Sequence, residues 1–150
     1  MLSKRMSWQN NILTTDAQIA ALLRETKRIA VLGIKPESHS SQPAHYVPRY
    51  MQQAGFEIVP VPVYYPEVTE IMGEKVYRDL REIPGEIDMV NVFRRDTDIM
   101  RHVDEIIEAS PKAVWFQLGI RNDAAAEAFA HEGIKVVQNL CLMVEHRALT

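Results

Sequence analysis

The chain has 150 residues, 47% hydrophobic and 25% charged, with a formal net charge of −3 at pH 7. That length buries a core without staples, the composition is that of an ordinary globular protein, and the charge excludes a general nucleic-acid binder, which needs a basic face. The single cysteine, Cys141, excludes an intramolecular disulfide and fits a reducing compartment. No apolar stretch has the length of a signal-peptide core or a membrane span, so a cytoplasmic protein without a membrane partner is expected.

Residues 1–14 read as a loosely ordered segment and 15–150 as a single domain. Thr15 with Gln18 forms a capping box, and Ile19, Leu22 and Leu23 supply one apolar face, which predicts a helix over 15–26. IAVLGI (29–34) is apolar on both faces, as a strand inside a parallel sheet is. Pro43 suits the first turn of a helix. Tyr46, Val47, Tyr50, Met51 and Ala54 follow at helical spacing, Pro48 falls in the second turn, and Gly55 ends the helix. EIVPVPV (57–63) is the second strand, and its two prolines point to an unusual or edge-like end. Residues 66–85 read as a loop with an extended piece near Lys75–Tyr77 and a helical turn before Pro84. DMVNVF (88–93) is the third strand, and Ile99, Val103, Ile106 and Ile107 line a helix over 96–109. AVWFQL (113–118) is the fourth strand, with Trp115 read as core. Asn122 caps an alanine-rich helix that stops at Gly133. IKVVQ (134–138) is the last strand, and a helix over 141–148 closes the chain. Strands alternating with helices imply a parallel sheet covered on both faces and joined by right-handed crossovers. The expected fold is α/β: a three-layer, Rossmann-like, doubly wound parallel sheet of about five strands.

Ligands of such sheets sit beyond the carboxyl ends of the strands, where the strand order switches. The residues due at that edge are Gly33, Lys35 and Ser38-His39-Ser40-Ser41 after the first strand. Tyr64 and Tyr65 follow the second, Arg94 and Arg95 the third, Gly119 and Arg121 the fourth, Asn139 and Cys141 the fifth. This set suits a phosphorylated ligand. Gly33 permits close backbone approach. Ser38, Ser40 and Ser41 offer hydroxyls, and the helix starting at Pro43 directs N–H groups and its positive end at the loop. Lys35 and Arg94 add charge-assisted bonds, and Tyr64 offers a ring for a base. On local sequence, a solvated capped turn explains the serine loop equally well, and plain surface charge explains the arginine pair. The histidines at 39, 45, 102, 131 and 146 have no metal-ligand spacing, and neither G-x-S-x-G nor a Ser/His/Asp order is present. No catalytic residue and no metal are therefore expected. A nicotinamide cofactor fits poorly. G-x-G-x-x-G is absent, and Val63, Tyr64, Tyr65 and Pro66 stand where the ribose-binding acid belongs.

Five stretches carry a family resemblance: IAVLGIKPESHSSQPAHYVPRYM, VPVYYPEV, DMVNVFRR, AVWFQLGI and NLCLMVEHRAL. In this order they resemble the stand-alone CoA-binding domain proteins, which are similar to the N-terminal domain of the succinyl-CoA synthetase alpha subunit. The resemblance spans about 28–149. It implies a Rossmann-like domain that binds coenzyme A or an acyl-CoA. The family's phosphate loop falls on Gly33, Ile34, Lys35, Ser38, Ser40 and Ser41, with Pro43 and His45 at the start of the following helix. Its contacts to the adenosine end fall on Val63 and Tyr64. Its later-strand contacts fall on Phe93 and Arg94, then on Gln117, Leu118 and Gly119. In the synthetase a second domain carries the phosphorylated histidine. No counterpart occurs up to Thr150, so the resemblance implies binding without independent catalysis. Two alternatives stay open. One is a small NAD(P)-binding oxidoreductase or redox-sensing protein. The other is a CoA-responsive regulatory module that docks a second copy of itself or another protein.

Overall fold

The computed structural model describes residues 7–150. The elements run α1 (Asp16–Glu25), β1 (Arg28–Leu32), α2 (Pro43–Gln53), β2 (Glu57–Val61), β3 (Glu70–Ile71), β4 (Glu74–Lys75) and β5 (Met89–Val92). They continue with α3 (Val103–Ala109), β6 (Ala113–Phe116), α4 (Asp123–His131), β7 (Lys135–Val137) and α5 (Leu142–Leu149). Five strands form one sheet in the order β2-β1-β5-β6-β7, every pair parallel. The expected doubly wound α/β sheet is therefore present. The chain builds outward from β1 to β2 on one side and from β5 to β7 on the other, so the order switches between β1 and β5.

Alternation along each strand splits the apolar residues between two faces. Ile29, Val31, Met89, Trp115 and Val137 pack with Ile19, Leu22 and Leu23 of α1, Val47 and Met51 of α2, and Leu142 of α5. Leu32, Val61, Val90, Val92, Val114 and Phe116 pack on the other face with Val103 and Ile106 of α3 and Phe129 of α4. Phe116 and Phe129 meet edge to face, with centroids 6.2 Å apart.

The helix starts follow their sequence signals. Thr15 accepts the Gln18 N–H at 3.2 Å, and Gln18 Oε1 accepts the Thr15 N–H at 3.0 Å. Asn122 Oδ1 accepts the Ala125 N–H at 3.0 Å. The proline of β2, Pro60, lies on an edge strand, and its carbonyl accepts the Tyr77 N–H at 3.0 Å.

Differences concentrate at element ends. β1, β2, β5 and β6 stop one or two residues before their apolar runs do, because the chain leaves the sheet there to enter the loops of the site. The helix expected over 96–109 begins as a 3-10 turn, Ile99–His102, before α3. The stretch 66–85 contains the antiparallel β3–β4 hairpin and a 3-10 turn, Leu80–Glu82. Of the N-terminal segment, residues 1–6 lie outside the described residues. Trp8–Asn11 form a 3-10 turn, and the Leu13 N–H donates to the Val136 carbonyl at 2.8 Å.

Candidate functional site

The loop after β1 is tied down by its own backbone. Gly33 has φ of 88°, and its N–H donates to the Val61 carbonyl at 2.8 Å. A β-carbon here would lie 2.3 Å from the Phe93 carbonyl oxygen. Gly33 is thus required where the chain leaving β1 crosses the chain leaving β5, a contact within the fold.

Two residues farther on, the Lys35 N–H donates to the Ala44 carbonyl at 3.1 Å. That carbonyl is available because its normal helical donor, four residues on, is Pro48, which has no N–H. The Lys35 carbonyl accepts from Nδ1 of His45 at 2.9 Å. His45 is 1% exposed, so it supports the loop from behind. The Lys35 ammonium meets the side-chain oxygen of Gln42. In the first turn of α2, Pro43 has no N–H, and the His45 and Tyr46 N–H groups both donate to the Gln42 carbonyl. Among the described residues only Ala44 keeps an unpartnered N–H there, so the helix end offers a single backbone donor.

Ser38, Ser40 and Ser41 are exposed. Ser38 Oγ lies 2.9 Å from Nδ1 of His39, whose ring sits 5.2 Å from that of Tyr65. Glu37 accepts the Met72 N–H at 2.7 Å. This part of the loop folds over the β2 side of the sheet.

At the switch in strand order lies a groove of about 480 Å³. The loop after β1 and the start of α2 line it with Lys35, Gln42, Pro43 and Ala44. The turn after β5 contributes Phe93 to Asp96, and the turn after β6 contributes Gln117 to Ile120. A smaller cavity of about 60 Å³ adjoins it, lined by Gly33, Ile34, Lys35, Val63, Tyr64, Tyr65, Phe93 and Arg94. Of the residues expected at the site, the structure gathers Lys35, Pro43, Phe93, Arg94, Gln117, Leu118 and Gly119 on the groove. It gathers Gly33, Ile34, Val63 and Tyr64 on the adjoining cavity. Ser38, Ser40, Ser41 and His45 line neither.

Arg94 borders both cavities and is 8% exposed. Its guanidinium carbon lies 5.7 Å from the ring centre of Tyr64, which is 61% exposed. Its Nε–H donates to Nε2 of His102 at 3.2 Å, and Nη2 lies 3.7 Å from Asp98 Oδ2. The hydrogen bond from Arg95 at 3.0 Å holds the Asp98 carboxyl below the usual range, against its burial, with help from the charges of Arg94 and Arg101. Gln117 is 4% exposed. Its Oε1 accepts the Leu142 N–H at 3.3 Å and the Asn91 amide at 3.4 Å, leaving its NH₂ as the end free to donate.

Arg95, expected beyond the third strand, lines the groove as well, and so do Gln42, Asp96 and Ile120, each of which directly adjoins a residue that the sequence had singled out. Arg78 carries no such signal. It donates to the carbonyls of Tyr64, Tyr65 and Val68 at 2.9, 2.6 and 2.8 Å, and so holds the turn that presents Tyr64.

Residues 27–147 match the model of a family described as CoA binding domain. An uncharacterised protein of Bacillus subtilis (strain 168), YneT, is 37% identical over 132 residues, covering 88% of this chain and 94% of that protein. A solved structure from Thermus thermophilus has a TM-score of 0.83 at 37% identity, covering 91% of this chain and 100% of that one. A protein of Pyrococcus horikoshii OT3 has a TM-score of 0.81 at 32% identity, covering 91% and 92%. The dinucleotide-forming acetyl-coenzyme A synthetase 1 of Ca. Korarchaeum cryptofilum shares the fold, with a TM-score of 0.64 at 17% identity over 78% of this chain and 27% of that one.

Proposed function

The chain belongs to the CoA binding domain family, and from that premise we propose that it binds coenzyme A or an acyl-CoA in the groove at the β1/β5 switch, without catalysing a reaction on its own. The observation that carries this reading is the convergence of Lys35, Arg94 and Arg95 on one groove whose other walls include Phe93, Leu118 and Ile120. Cations suit a diphosphate, and apolar walls suit a long, mostly uncharged arm. The residues present fit both halves of that chemistry. Lys35 and Arg94 would hold phosphate, Val63 and Tyr64 the adenosine end, and the Gln117 NH₂ would donate to a ligand carbonyl. The ligand itself would supply a thiol or thioester.

The test is thermal unfolding with CoA, acetyl-CoA, NAD and NADP. A bound ligand at a hundred times its Kd raises stability by about 2.7 kcal/mol. CoA species are expected to shift the transition. Arg94→Ala and Lys35→Ala should each weaken binding by about tenfold, the worth of one charge-assisted hydrogen bond. A response to NAD or NADP with none to any CoA species would overturn the proposal.

A further inference from the structure

Arg94 is the groove cation that the fold itself aims, and the aiming depends on a proton. An arginine side chain has no acceptor, so the His102 nitrogen that receives Arg94 Nε–H at 3.2 Å is unprotonated. The ring proton is then on Nδ1, 3.1 Å from Glu105 Oε1, to which it is donated. The second oxygen of Glu105 accepts the Leu80 N–H at 2.8 Å, which ties the carboxylate to the turn Leu80–Glu82. His102 and Glu105 are each 14% exposed at the side chain, and neither lines the groove.

We infer that His102 is a positioning residue. In its neutral, Nδ1-protonated form it holds the Arg94 guanidinium at the groove, and its protonation releases Arg94 and weakens anion binding there. The inference rests on the groove being the CoA site. A second ring proton would sit on Nε2 and face the Arg94 N–H, donor against donor and charge against charge. Asp98, 3.7 Å from Nη2, is then the ionic anchor left to the guanidinium. The charged groups that face His102 are Glu105 of α3, Asp79 before the turn Leu80–Glu82 and Arg94 after β5.

Calorimetric titration with CoA from about pH 8 to about pH 5, the window in which histidine changes charge, tests this on the parent protein and on His102→Gln. Glutamine keeps an acceptor for Arg94 and does not titrate. A phosphomonoester also titrates near pH 6, so the two profiles are read against each other. At about pH 8 the two proteins should bind alike. At about pH 5 the parent should have lost about tenfold more affinity than the variant. Parallel profiles, or a parent that gains on the variant, would overturn the inference. In the ligand-free protein, nitrogen chemical shifts of the His102 ring should report the Nδ1–H form. A proton on Nε2 at neutral pH overturns the relay whatever binds. If no CoA species binds at any pH, the reading of the groove fails, and the ring shifts still decide the relay.

Discussion

At Gly33 the positive φ and the Phe93 carbonyl, 2.3 Å from where a β-carbon would lie, act together. Gly33→Ala must strain the backbone and push away the turn after β5. It should cost at least about 2 kcal/mol, read as a lower denaturation midpoint. It should also weaken ligand binding, because Phe93 and Arg94 move with that turn. From sequence, only the demand for a glycine was legible. What crowds it comes from another strand and was not. His45 behaves the same way. Its place beside the loop was legible, but its hydrogen bond to the Lys35 carbonyl depends on how α2 sits against β1.

At the scale of elements, α2 shows a helix irregularity turned to use. Pro48 leaves the Ala44 carbonyl without its helical donor, and the Lys35 N–H takes the place. Pro48→Ala restores a competing donor. In an open helix interior alanine is favoured over proline by about 3 kcal/mol. Here the gain should be smaller, since the Lys35 anchor is lost in exchange. Hydrogen exchange at the Lys35 amide should become faster, and unchanged exchange there would contradict this account of the proline. The prolines had pointed only to an unusual or edge-like end of the second strand, and β2 lies at the sheet edge for a related reason. A proline has no N–H to give to a ladder, so a strand that contains one sits best at a border. The β3–β4 hairpin was not legible as such, because two-residue strands carry no periodicity.

Across the molecule, acidic groups brace both ends of the sheet. At the end away from the groove, burial pushes the Asp88 carboxyl up. The N–H groups of Arg28 and Lys27, at 2.9 and 3.0 Å, and the charge of Lys112 outweigh it and hold that carboxyl below the usual range. Asp98 beside the groove is lowered chiefly by Arg95, and Asp79 by its hydrogen bond from Arg81. A carboxylate with a lowered folded pKa contributes stability above its unfolded value and loses it as pH falls through the folded one. Stability should therefore hold from neutral pH down to about pH 5 and decline below about pH 4. Asp88→Asn should flatten that acid limb, as measured by denaturant midpoints against pH.

Local chemistry by itself determined the alternation of strands and helices, the caps at Thr15 and Asn122, the parallel sheet and the edge at which the groove opens. Each of these follows from periodicity, a cap or a turn, whose causes lie within a few residues. Only the tertiary structure decided which residues reach the groove. It left the three serines exposed and outside the groove, and set His45 behind the loop. It also joined Arg94 to His102 and Glu105, and Arg78 to the turn of Tyr64. Those outcomes depend on the directions in which separate strands end and their loops cross, and no local pattern encodes such directions.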